Sequence, residues 1–316
     1  MDLSVIIVNW NTRTFLLQCL ESLYQGAGDT KMEVWVVDNG SGDGSAVAVR
    51  EHFPEVALIE NQMNLGFGRA SNQAMRESKG TYLLLLNPDT RVKSGTIGRL
   101  LFFMGTHPEA GVAGTQLLNA DGTKQNSIAN FPSLATELLN KSLLRWWFPK
   151  KFPGKERDYP EPVEVDSVVG ACMMVRREAV SQVGWLDEDY FLFLEETDWC
   201  FRMKRAGWKI YHCPQAAVTH LQGKSVEIEK SKAKLEYYRS RYHFFRKNRG
   251  KCQEVILRMG VVMRLSVEVI LMAALCLPTF FSNRRWREKL WTFAYLLWWH
   301  VRLCPEGMGL RPIPRA

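Results

Sequence analysis

Polar side chains follow three predicted strands in the first half of the chain, at the point where each strand ends. Asn9 follows the first run of apolar and β-branched residues, Asp38 follows the second, and Asp89 lies shortly after the fourth. Because parallel sheets bind ligands beyond the carboxyl ends of their strands, we expect these side chains to line one crevice. A carboxylate after the second strand can hold a ribose or a base edge, and one after the fourth can hold a divalent cation.

Glycine-rich turns follow the second and third strands rather than the first. The turn Asn64-Leu-Gly66-Phe-Gly68 allows the backbone to approach a ligand closely. A dinucleotide-binding fold places its glycine fingerprint after the first strand, where this chain has Val8-Asn-Trp-Asn11. A nicotinamide-dependent dehydrogenase is therefore disfavoured, and the lack of a GxxxxGK(S/T) motif excludes a P-loop ATPase.

Apolar runs alternate with helical patterns over the part of the chain that carries these turns. Leucines recur at helical spacing after Asn11, which we expect to cap the first helix. The other predicted helices cover about 45–52, 68–77 and 94–104, and the predicted strands are Leu3–Val8, Glu33–Val37, Val56–Ile59 and Tyr82–Leu86. This order predicts an α/β fold in which helices cover both faces of a mostly parallel, twisted sheet.

The pattern becomes less regular after Leu118. We expect a hairpin turn at Asn119–Gly122, a long surface loop at Trp146–Pro162, regular structure at Val165–Val175, and helices at Arg177–Val183 and Glu195–Ala206. In the last helix, Asp198 and Arg202 have the spacing of an ion pair on one helix face.

The C-terminal region differs from the rest of the chain in charge. From Lys224 onward it contains 19 Lys and Arg against 7 Asp and Glu, whereas the preceding residues contain 22 against 26. We therefore expect two domains, 1–223 as the catalytic body and 224–316 as a basic helical extension. The positive charge fits attachment to an anionic membrane surface rather than to nucleic acid.

Two apolar segments follow a basic aromatic helix in this extension. Leu265–Phe281 would be about 25 Å long as a helix, short of a ~30 Å hydrocarbon core, and Leu290–Leu303 is shorter. Trp and Arg near their ends favour a monotopic mode over a true span. The alternative is a soluble helical cap that packs on the main domain or on a second subunit.

Cysteine usage indicates a reducing compartment. The seven cysteines are scattered without a CxxC pair, so neither a zinc site nor a disulfide framework is indicated. The first strand begins two residues after Met1, with no secretory signal. We expect the protein to be located at the cytoplasmic face of the cell membrane.

Six motifs occur in a defined order along residues 3–247. They are Val5-Ile-Ile-Val-Asn-Trp-Asn, Val36-Val-Asp-Asn-Gly-Ser-Gly-Asp-Gly-Ser, Asn64-Leu-Gly-Phe-Gly-Arg-Ala-Ser-Asn72, Leu86-Asn-Pro-Asp89, Val169-Gly-Ala-Cys-Met-Met-Val-Arg and Phe193-Leu-Glu-Glu-Thr-Asp-Trp-Cys-Phe-Arg. The ordered set resembles the family 2 glycosyltransferases, and within them the rhamnosyltransferase-like branch. The resemblance implies a GT-A fold, a nucleoside-diphosphate sugar donor, Mg²⁺ or Mn²⁺, and inversion at the anomeric carbon.

The resemblance also implies roles for individual residues. Asp38 corresponds to the nucleoside-binding aspartate, near Asn9 and Asn39, and the turn that closes over the nucleoside contains Asn64, Gly66 and Asn72. Asn87-Pro-Asp89 stands in place of the family's DxD motif, with Asn87 instead of the first acid, so Asp89 would be the metal-binding carboxylate. His220 corresponds to the late histidine that completes the metal or diphosphate site.

The catalytic base is expected among three acids at the start of one helix. Glu196 occupies the position of the family's base, and Glu195 and Asp198 are the alternatives. Taken alone, acids in a first helical turn are explained by the helix dipole. His220 alone would be an ordinary surface histidine, and Asn9 alone could cap the first helix.

These inferences predict an inverting glycosyltransferase that acts in surface polysaccharide assembly. It would move a sugar, rhamnose by the branch resemblance, from a dTDP- or UDP-sugar to a hydroxyl of a glycan or lipid-linked acceptor. The oligomeric state stays open. One alternative is a catalytically silent nucleotide-sugar-binding scaffold, against which the intact acids at 89 and 196 argue. Another is a sugar-nucleotidyltransferase, which should have a basic, glycine-rich loop after the first strand.

Overall fold

The computed structural model describes residues 1–149, 157–221 and 230–311. The chain forms two compact units, one of Met1–Phe131 with Arg145–Glu227 and one of Pro132–Leu144 with Ile228–Ala316. The domain boundary expected between 223 and 224 lies outside the described residues. The second unit takes a short segment from the middle of the chain, which the sequence analysis did not predict.

The strands and helices have the following bounds. The strands are β1 (Leu3–Asn9), β2 (Met32–Asp38), β3 (Ala57–Glu60), β4 (Tyr82–Leu86), β5 (Thr90–Val92), β6 (Ala110–Leu118), β7 (Ile128–Ala129), β8 (Val163–Glu164), β9 (Ser167–Val168), β10 (Cys172–Arg176) and β11 (Lys209–His220). The helices are α1 (Arg13–Gly26), α2 (Ser45–His52), α3 (Phe67–Glu77), α4 (Thr96–Thr106), α5 (Leu134–Leu138), α6 (Lys141–Trp147), α7 (Arg177–Val183), α8 (Glu195–Arg205), α9 (Lys230–Asn248), α10 (Lys251–Cys276) and α11 (Arg284–Val301).

The first unit is built on a nine-stranded mixed sheet in the order β3-β2-β1-β4-β10-β6-β11-β5, with β8 beside β11. Strands β3, β2, β1 and β4 are parallel to one another, and β11 is parallel to β6. The predicted α/β fold with a mostly parallel sheet is confirmed. Strand β10 runs antiparallel between β4 and β6, which the sequence analysis did not predict.

The strands bury alternate side chains on the two faces of this sheet, as the two-residue period of a strand requires. One face carries Leu3, Val5 and Ile7 of β1 against buried leucines of α1 and α4. The other carries Ile6 and Val8 against buried residues of α3, α7 and α8. Helices thus cover both faces, and the polar strand ends lie at the carboxyl edge of the parallel strands.

Two local expectations in the first half of the sequence are corrected by the structure. Thr12, not Asn11, precedes α1, and Asn11 has a left-handed backbone with φ of 53°. The Oδ1 of Asn11 instead accepts from the Gly42 amide at 2.8 Å. The loop expected at Trp146–Pro162 begins inside a helix, since both tryptophans belong to α6; residues 150–156 of that loop lie outside the described residues.

The second unit is helical. Helix α10 packs against α5, α9 and α11, and it buries Leu257, Val261 and Leu265. The apolar segment expected at Leu265–Phe281 is part of this longer helix. The charged first half stays helical because the buried Glu254 accepts from Arg246 and Arg258, each at 2.8 Å from Nε. Together with the turn that follows, Lys251–Thr279 is long and apolar enough to cross a membrane.

Candidate active site

Asp38 lies at the carboxyl end of β2, where two groups donate hydrogen bonds to its carboxylate. β1 and β2 pair in a register that sets Asn9 beside Asp38. Asn9 Nδ2 donates to Asp38 Oδ1 at 3.0 Å, and the Ser41 amide donates to Oδ2 at 3.0 Å. Asn9 is itself held by Thr12, whose Oγ1 donates to Asn9 Oδ1 at 2.6 Å. The Asp38 carboxylate is therefore buried in a fixed orientation.

Asn39 joins the second strand end to the glycine turn after β3. Its Nδ2 donates to Asn64 Oδ1 at 2.9 Å, and its Oδ1 accepts from the Leu65 amide at 3.1 Å. Asn61 Nδ2 also donates to that oxygen, at 3.0 Å. These bonds use the side chain of Asn39 to hold the turn, so the turn and Asp38 form one rigid element.

Gly66 is required by the close approach of another chain segment. Its φ is 85°, and a Cβ at this position would lie 2.5 Å from the carbonyl oxygen of Phe191. The same carbonyl accepts from the Phe67 amide at 2.8 Å. The turn thus packs against the segment that leads into α8.

Asn72 holds that same segment rather than facing the crevice. Its Nδ2 donates to the Leu186 carbonyl at 2.9 Å and to Glu188 Oε1 at 3.0 Å, and its Oδ1 accepts from the Leu186 amide at 3.1 Å. Glu188 also accepts from Arg69 and Arg76. All hydrogen-bonding atoms of the Asn72 amide are therefore engaged within the protein, so its expected contact with a nucleoside is replaced by a positioning contact.

Asp89 and His220 lie side by side after β4 and at the end of β11. Pairing of β5 with β11 brings Thr90 opposite His220. His220 Nε2 is 3.4 Å from Asp89 Oδ1, and both residues are buried. His220 Nδ1 is 3.1 Å from Gln125 Oε1. A carboxylate and an oriented imidazole together form a donor set suited to a divalent cation.

Asn87 connects this pair to the acids of α8 through backbone contacts. The Asn87 amide donates to the Ala171 carbonyl at 2.9 Å. The preceding Gly170 packs on Glu196, because a Cβ on Gly170 would lie 3.4 Å from both Cβ and Cγ of Glu196. Asn87, two residues before Asp89, and Gly170, which packs on Glu196, therefore lie in two neighbouring backbone segments, where the end of β4 meets the start of β10.

Glu195 and Glu196 begin α8 with covered carboxylates. The Oε2 atom of each is buried and has no hydrogen-bond partner among the residues that the structure describes. Burial raises the pKa of Glu196, although nearby backbone amides, including that of Gly170, oppose the increase. Burial and the neighbouring Glu196 carboxylate raise the pKa of Glu195 well above its usual range. A carboxylate whose pKa is raised in this way accepts a proton more readily than a solvent-exposed one.

The backbone before these acids is in a sparsely populated conformation. Phe193 and Leu194 have φ of 71° and 68°, in the left-handed region that non-glycine residues rarely adopt. Two such residues cost on the order of 1–3 kcal/mol each and persist only where surrounding contacts determine them. Here the Phe191 carbonyl is fixed on the glycine turn, and the Leu194 carbonyl accepts from the Asp198 amide at 2.8 Å.

Asp198 belongs to the scaffold rather than to the reacting groups. Arg202 Nε donates to Asp198 Oδ2 at 2.8 Å, which confirms the expected ion pair, and Arg202 also donates to the Val183 and Trp185 carbonyls at 2.6 and 2.7 Å. The Asp198 carboxylate is fully buried. The expectation that Asp198 is an alternative base is corrected, because its carboxylate is already paired with Arg202 within the helix.

The structure brings together most of the residues that the sequence analysis selected. Asn9, Asp38, Asn39, Asn64 and Gly66 form one hydrogen-bonded group, Asp89 contacts His220, and Asn87 pairs with the segment on which Glu196 packs. Sequence reasoning missed Ser41, Gln125 and Glu188. Ser41 lies three residues after Asp38, within reach of a local bond from its backbone amide to that carboxylate, whereas Gln125 and Glu188 carry no local signal.

The sequence profile of Glycosyl transferase family 2 matches residues 4–184 of the chain. The chain belongs to this family. The match covers the strand-end crevice, and α8 and β11 lie beyond it.

Two characterised relatives of this glycosyltransferase carry named activities. The "N-acetylglucosaminyl-diphospho-decaprenol L-rhamnosyltransferase" of Mycobacterium tuberculosis is 30% identical over 256 residues, 77% of this chain and 83% of the relative. The "Rhamnosyltransferase WbbL" of Escherichia coli is 26% identical, over 68% of this chain and 82% of the relative. These relatives support a glycosyltransferase of polysaccharide biosynthesis with the expected rhamnosyltransferase-like character.

A solved structure shares the fold of this glycosyltransferase. The "Mannosyltransferase PcManGT from Pyrobaculum calidifontis in complex with GDP-Man and Mn2+" superimposes with a TM-score of 0.57 over 95% of this chain and 86% of that chain. At 16% identity the likeness shows the fold alone, which is the GT-A fold expected from the sequence.

Proposed function

We propose that this enzyme transfers rhamnose from a nucleoside-diphosphate donor, dTDP- or UDP-linked, to a hydroxyl of a lipid-linked or glycan acceptor, with inversion at the anomeric carbon. The observation that carries the proposal is the acid pair at the start of α8, where one carboxylate oxygen of each acid has no partner among the described residues. Glu196 packs on Gly170, next to the backbone that pairs with Asn87, and Asn87 is two residues from the Asp89 that contacts His220. The relative named for N-acetylglucosaminyl-diphospho-decaprenol supports a diphosphate-linked lipid acceptor.

Donor recognition is assigned to the first two strand ends. Asn9 and the Ser41 amide hold the Asp38 carboxylate in one orientation, so it can accept from the base or ribose without reorganising. The turn around Asn64 and Gly66, fixed by Asn39, would cover the nucleoside from the side of β3. Asn9 and Asn39 act in this proposal by holding these groups in place.

The residues present fit a divalent cation. Asp89 offers a carboxylate oxygen and His220 an imidazole nitrogen, and the two ligand atoms lie 3.4 Å apart. Asn87 adds an amide oxygen in place of a second acid, which suits Mg²⁺ or Mn²⁺ but lowers the negative charge of the site. When bound, the cation would neutralise charge on the departing diphosphate.

Glu196 is assigned as the base that takes the acceptor proton. Inversion requires one carboxylate on the acceptor side, and burial has raised the pKa of this one toward the range in which a base works efficiently. The Gly170 amide holds the Glu196 carboxylate beside the end of β4. Glu195 is its neighbour in the chain, and burial together with the Glu196 carboxylate raises the pKa of Glu195 as well.

The proposed activity is tested with a panel of nucleotide sugars, each with Mg²⁺, Mn²⁺ or a chelator. Two readouts are needed, protection against thermal unfolding and transfer to a polyprenyl-diphosphate-linked N-acetylglucosamine. We expect dTDP-rhamnose with a divalent cation to raise the melting temperature and to give a product of inverted anomeric configuration. Protection by a donor without transfer to any acceptor would favour a nucleotide-sugar-binding scaffold, and a retained configuration would contradict the assigned mechanism.

The second unit is proposed to attach the enzyme to the anionic cytoplasmic surface of the membrane. Large apolar side chains are exposed at three- and four-residue spacing along one face of α10, at Met259, Met263, Val267, Ile270, Leu271 and Leu275. Leu257, Val261 and Leu265 are buried on another side of the helix, so the exposed apolar side chains form a stripe along one side of it. A one-sided stripe supports a monotopic mode, with basic residues of α11 near the lipid headgroups.

Vesicle binding tests this attachment. Met263→Glu with Ile270→Glu should abolish sedimentation with anionic vesicles, because two charges would enter the apolar stripe. Phe102→Glu is the matched control, since Phe102 is an exposed aromatic residue of the first unit. Equal loss of binding in both proteins, or undiminished binding in the double variant, would contradict the proposed surface.

A further inference from the structure

Gln125 is placed beneath His220 by a hairpin that follows β6. The Asn119 amide donates to the Thr123 carbonyl at 2.8 Å, and Gly122 adopts the left-handed backbone with φ of 83°. This is the hairpin turn predicted from the sequence, and it is closed by a bridge between Leu118 and Lys124. The backbone amide of Gln125 then donates to the Leu117 carbonyl at 2.8 Å, which fixes the Gln125 backbone against β6.

The orientation of the Gln125 side-chain amide follows from its neighbours. Nε2 lies 2.6 Å from the His220 carbonyl oxygen and 2.8 Å from Asn119 Oδ1. A backbone carbonyl only accepts hydrogen bonds, so the group facing it must be the NH₂ of Gln125. The Oε1 atom is then directed at His220 Nδ1, at 3.1 Å.

An oxygen that only accepts determines which imidazole nitrogen carries the proton. Facing Gln125 Oε1, Nδ1 of His220 must be the donor. In the neutral ring, Nε2 then presents its lone pair, 3.4 Å from Asp89 Oδ1. Two lone-pair atoms facing each other in a buried site are compatible when a cation lies between them.

We propose that Gln125 is a positioning residue that holds His220 in the Nδ1–H tautomer and so keeps Nε2 available as a ligand for the divalent cation. The inference rests on the metal site assigned under the proposed function. It adds a residue that touches neither donor nor acceptor in that proposal, and it predicts a property of the protein without any ligand.

The tautomer is measured by ¹⁵N NMR of histidine-labelled full-length protein without metal, donor or acceptor. The chain has six histidines, and His220→Asn assigns the signal of interest. We expect a protonated Nδ1 in the wild type. Gln125→Leu, which removes the acceptor facing Nδ1, should lose this preference.

The matched control is Gln116→Leu. Gln116 is also buried and donates to the Leu117 carbonyl at 2.8 Å and to Ser127 Oγ at 2.9 Å, so its loss disturbs the same hairpin without removing the contact to His220. We expect its His220 tautomer to match the wild type. Mn²⁺ affinity, measured by electron paramagnetic resonance, should fall about 10- to 100-fold in Gln125→Leu and stay unchanged in Gln116→Leu.

A wild-type His220 without a proton on Nδ1, or an unchanged Nδ1 signal and Mn²⁺ affinity in Gln125→Leu, would overturn the inference. Neither result depends on sugar transfer. Failure of every donor in the panel would contradict the proposed function and leave the tautomer prediction standing, so the two can fail separately.

Discussion

The strand-end crevice and the first turn of α8 differ in how far their polar groups are hydrogen-bonded. In the crevice, polar side chains satisfy one another: Asn9 holds Asp38, Asn39 holds Asn64, and Gln125 holds His220. At the start of α8, two adjacent carboxylates are covered, and one oxygen of each has no partner among the described residues. The proposed binding groups are thus held in one orientation before a ligand binds. Each proposed reacting acid instead keeps a carboxylate oxygen without a hydrogen-bond partner among the described residues, which leaves it reactive.

The two regions also differ in backbone strain. Around Asp38 the positive φ values fall on glycines apart from Asn11, whereas Phe193 and Leu194 carry them directly before the acids. The strained pair is bounded by the Phe67–Phe191 contact on one side and the Asp198–Arg202 ion pair on the other. The hydrogen bond and the ion pair on either side of the acids thus help to offset the free-energy cost of the strained backbone and of burying the carboxylates.

Glu196→Gln should produce the largest effect, because it removes only the proposed base. We expect the rate of transfer to fall about 10²- to 10⁴-fold, while donor affinity stays near that of the wild type. Rapid-quench transfer assays and donor titrations measure the two quantities separately. A variant with wild-type activity would show that another residue is the base, and it would contradict the proposed difference between the two regions.

Asp198→Asn tests whether the ion pair beneath the acids is part of the scaffold. Removing one partner of a buried ion pair costs about 3–5 kcal/mol. Chemical denaturation should show a loss in this range. The control is Glu188→Gln, whose partners Arg69 and Arg76 have side chains 53% and 50% exposed and whose ion pairs should contribute less than about 1 kcal/mol each. Equal losses would contradict the distinction.

Asp38→Asn tests whether the crevice is a preorganised binding region. The substitution keeps the shape and removes a charge-assisted acceptor, which is worth about 1.5–3 kcal/mol. Donor affinity should therefore fall roughly 10- to 150-fold by calorimetry, with little change in the maximal rate. A fall in maximal rate at unchanged affinity would place Asp38 among the reacting groups instead.

Glu195→Gln should stabilise the protein, which is the smallest effect and the most specific to an unpaired acid. The folded state binds the Glu195 proton more tightly than the unfolded state, since burial raises its pKa above the usual 4.5. The free energy of unfolding due to this group therefore falls as pH rises from the unfolded pKa toward the raised folded one.

The melting temperatures of Glu195→Gln and the wild type should agree near pH 4 and diverge as pH increases. A gain of about 1 kcal/mol corresponds to ~2–4 °C for a unit of this size. Calorimetry across pH measures the difference. A gap that is independent of pH, or a less stable variant at neutral pH, would show that the Glu195 carboxylate has a partner after all.

The sequence predicted the strand-end groups well because each follows an abrupt end of an apolar run. Asp38 is the last residue of β2 and Asp89 lies shortly after β4, and parallel pairing alone brings their strand ends to one edge. Likewise, the i,i+4 spacing was enough to predict the pair of Asp198 with Arg202.

The remaining features depend on contacts between distant parts of the chain. Strand β10 enters between β4 and β6 through pairing that leaves no local pattern. Gln125 meets His220 across 95 residues, and Asn72 meets Leu186 across 114. The length of α10 was underestimated because only its apolar part, from Leu265, was recognised, whereas the helix begins at Lys251 with Glu254 paired to Arg246 and Arg258.

The most direct test of the account is a crystal structure with Mn²⁺ and a nucleoside diphosphate, with the metal located by anomalous scattering. The account predicts one manganese peak within about 2.0–2.2 Å of Asp89 and His220 Nε2, with the nucleoside on the Asp38 carboxylate. A nucleotide bound away from Asp38, or a manganese ion held by other residues, would contradict the claim that these strand ends form one donor site.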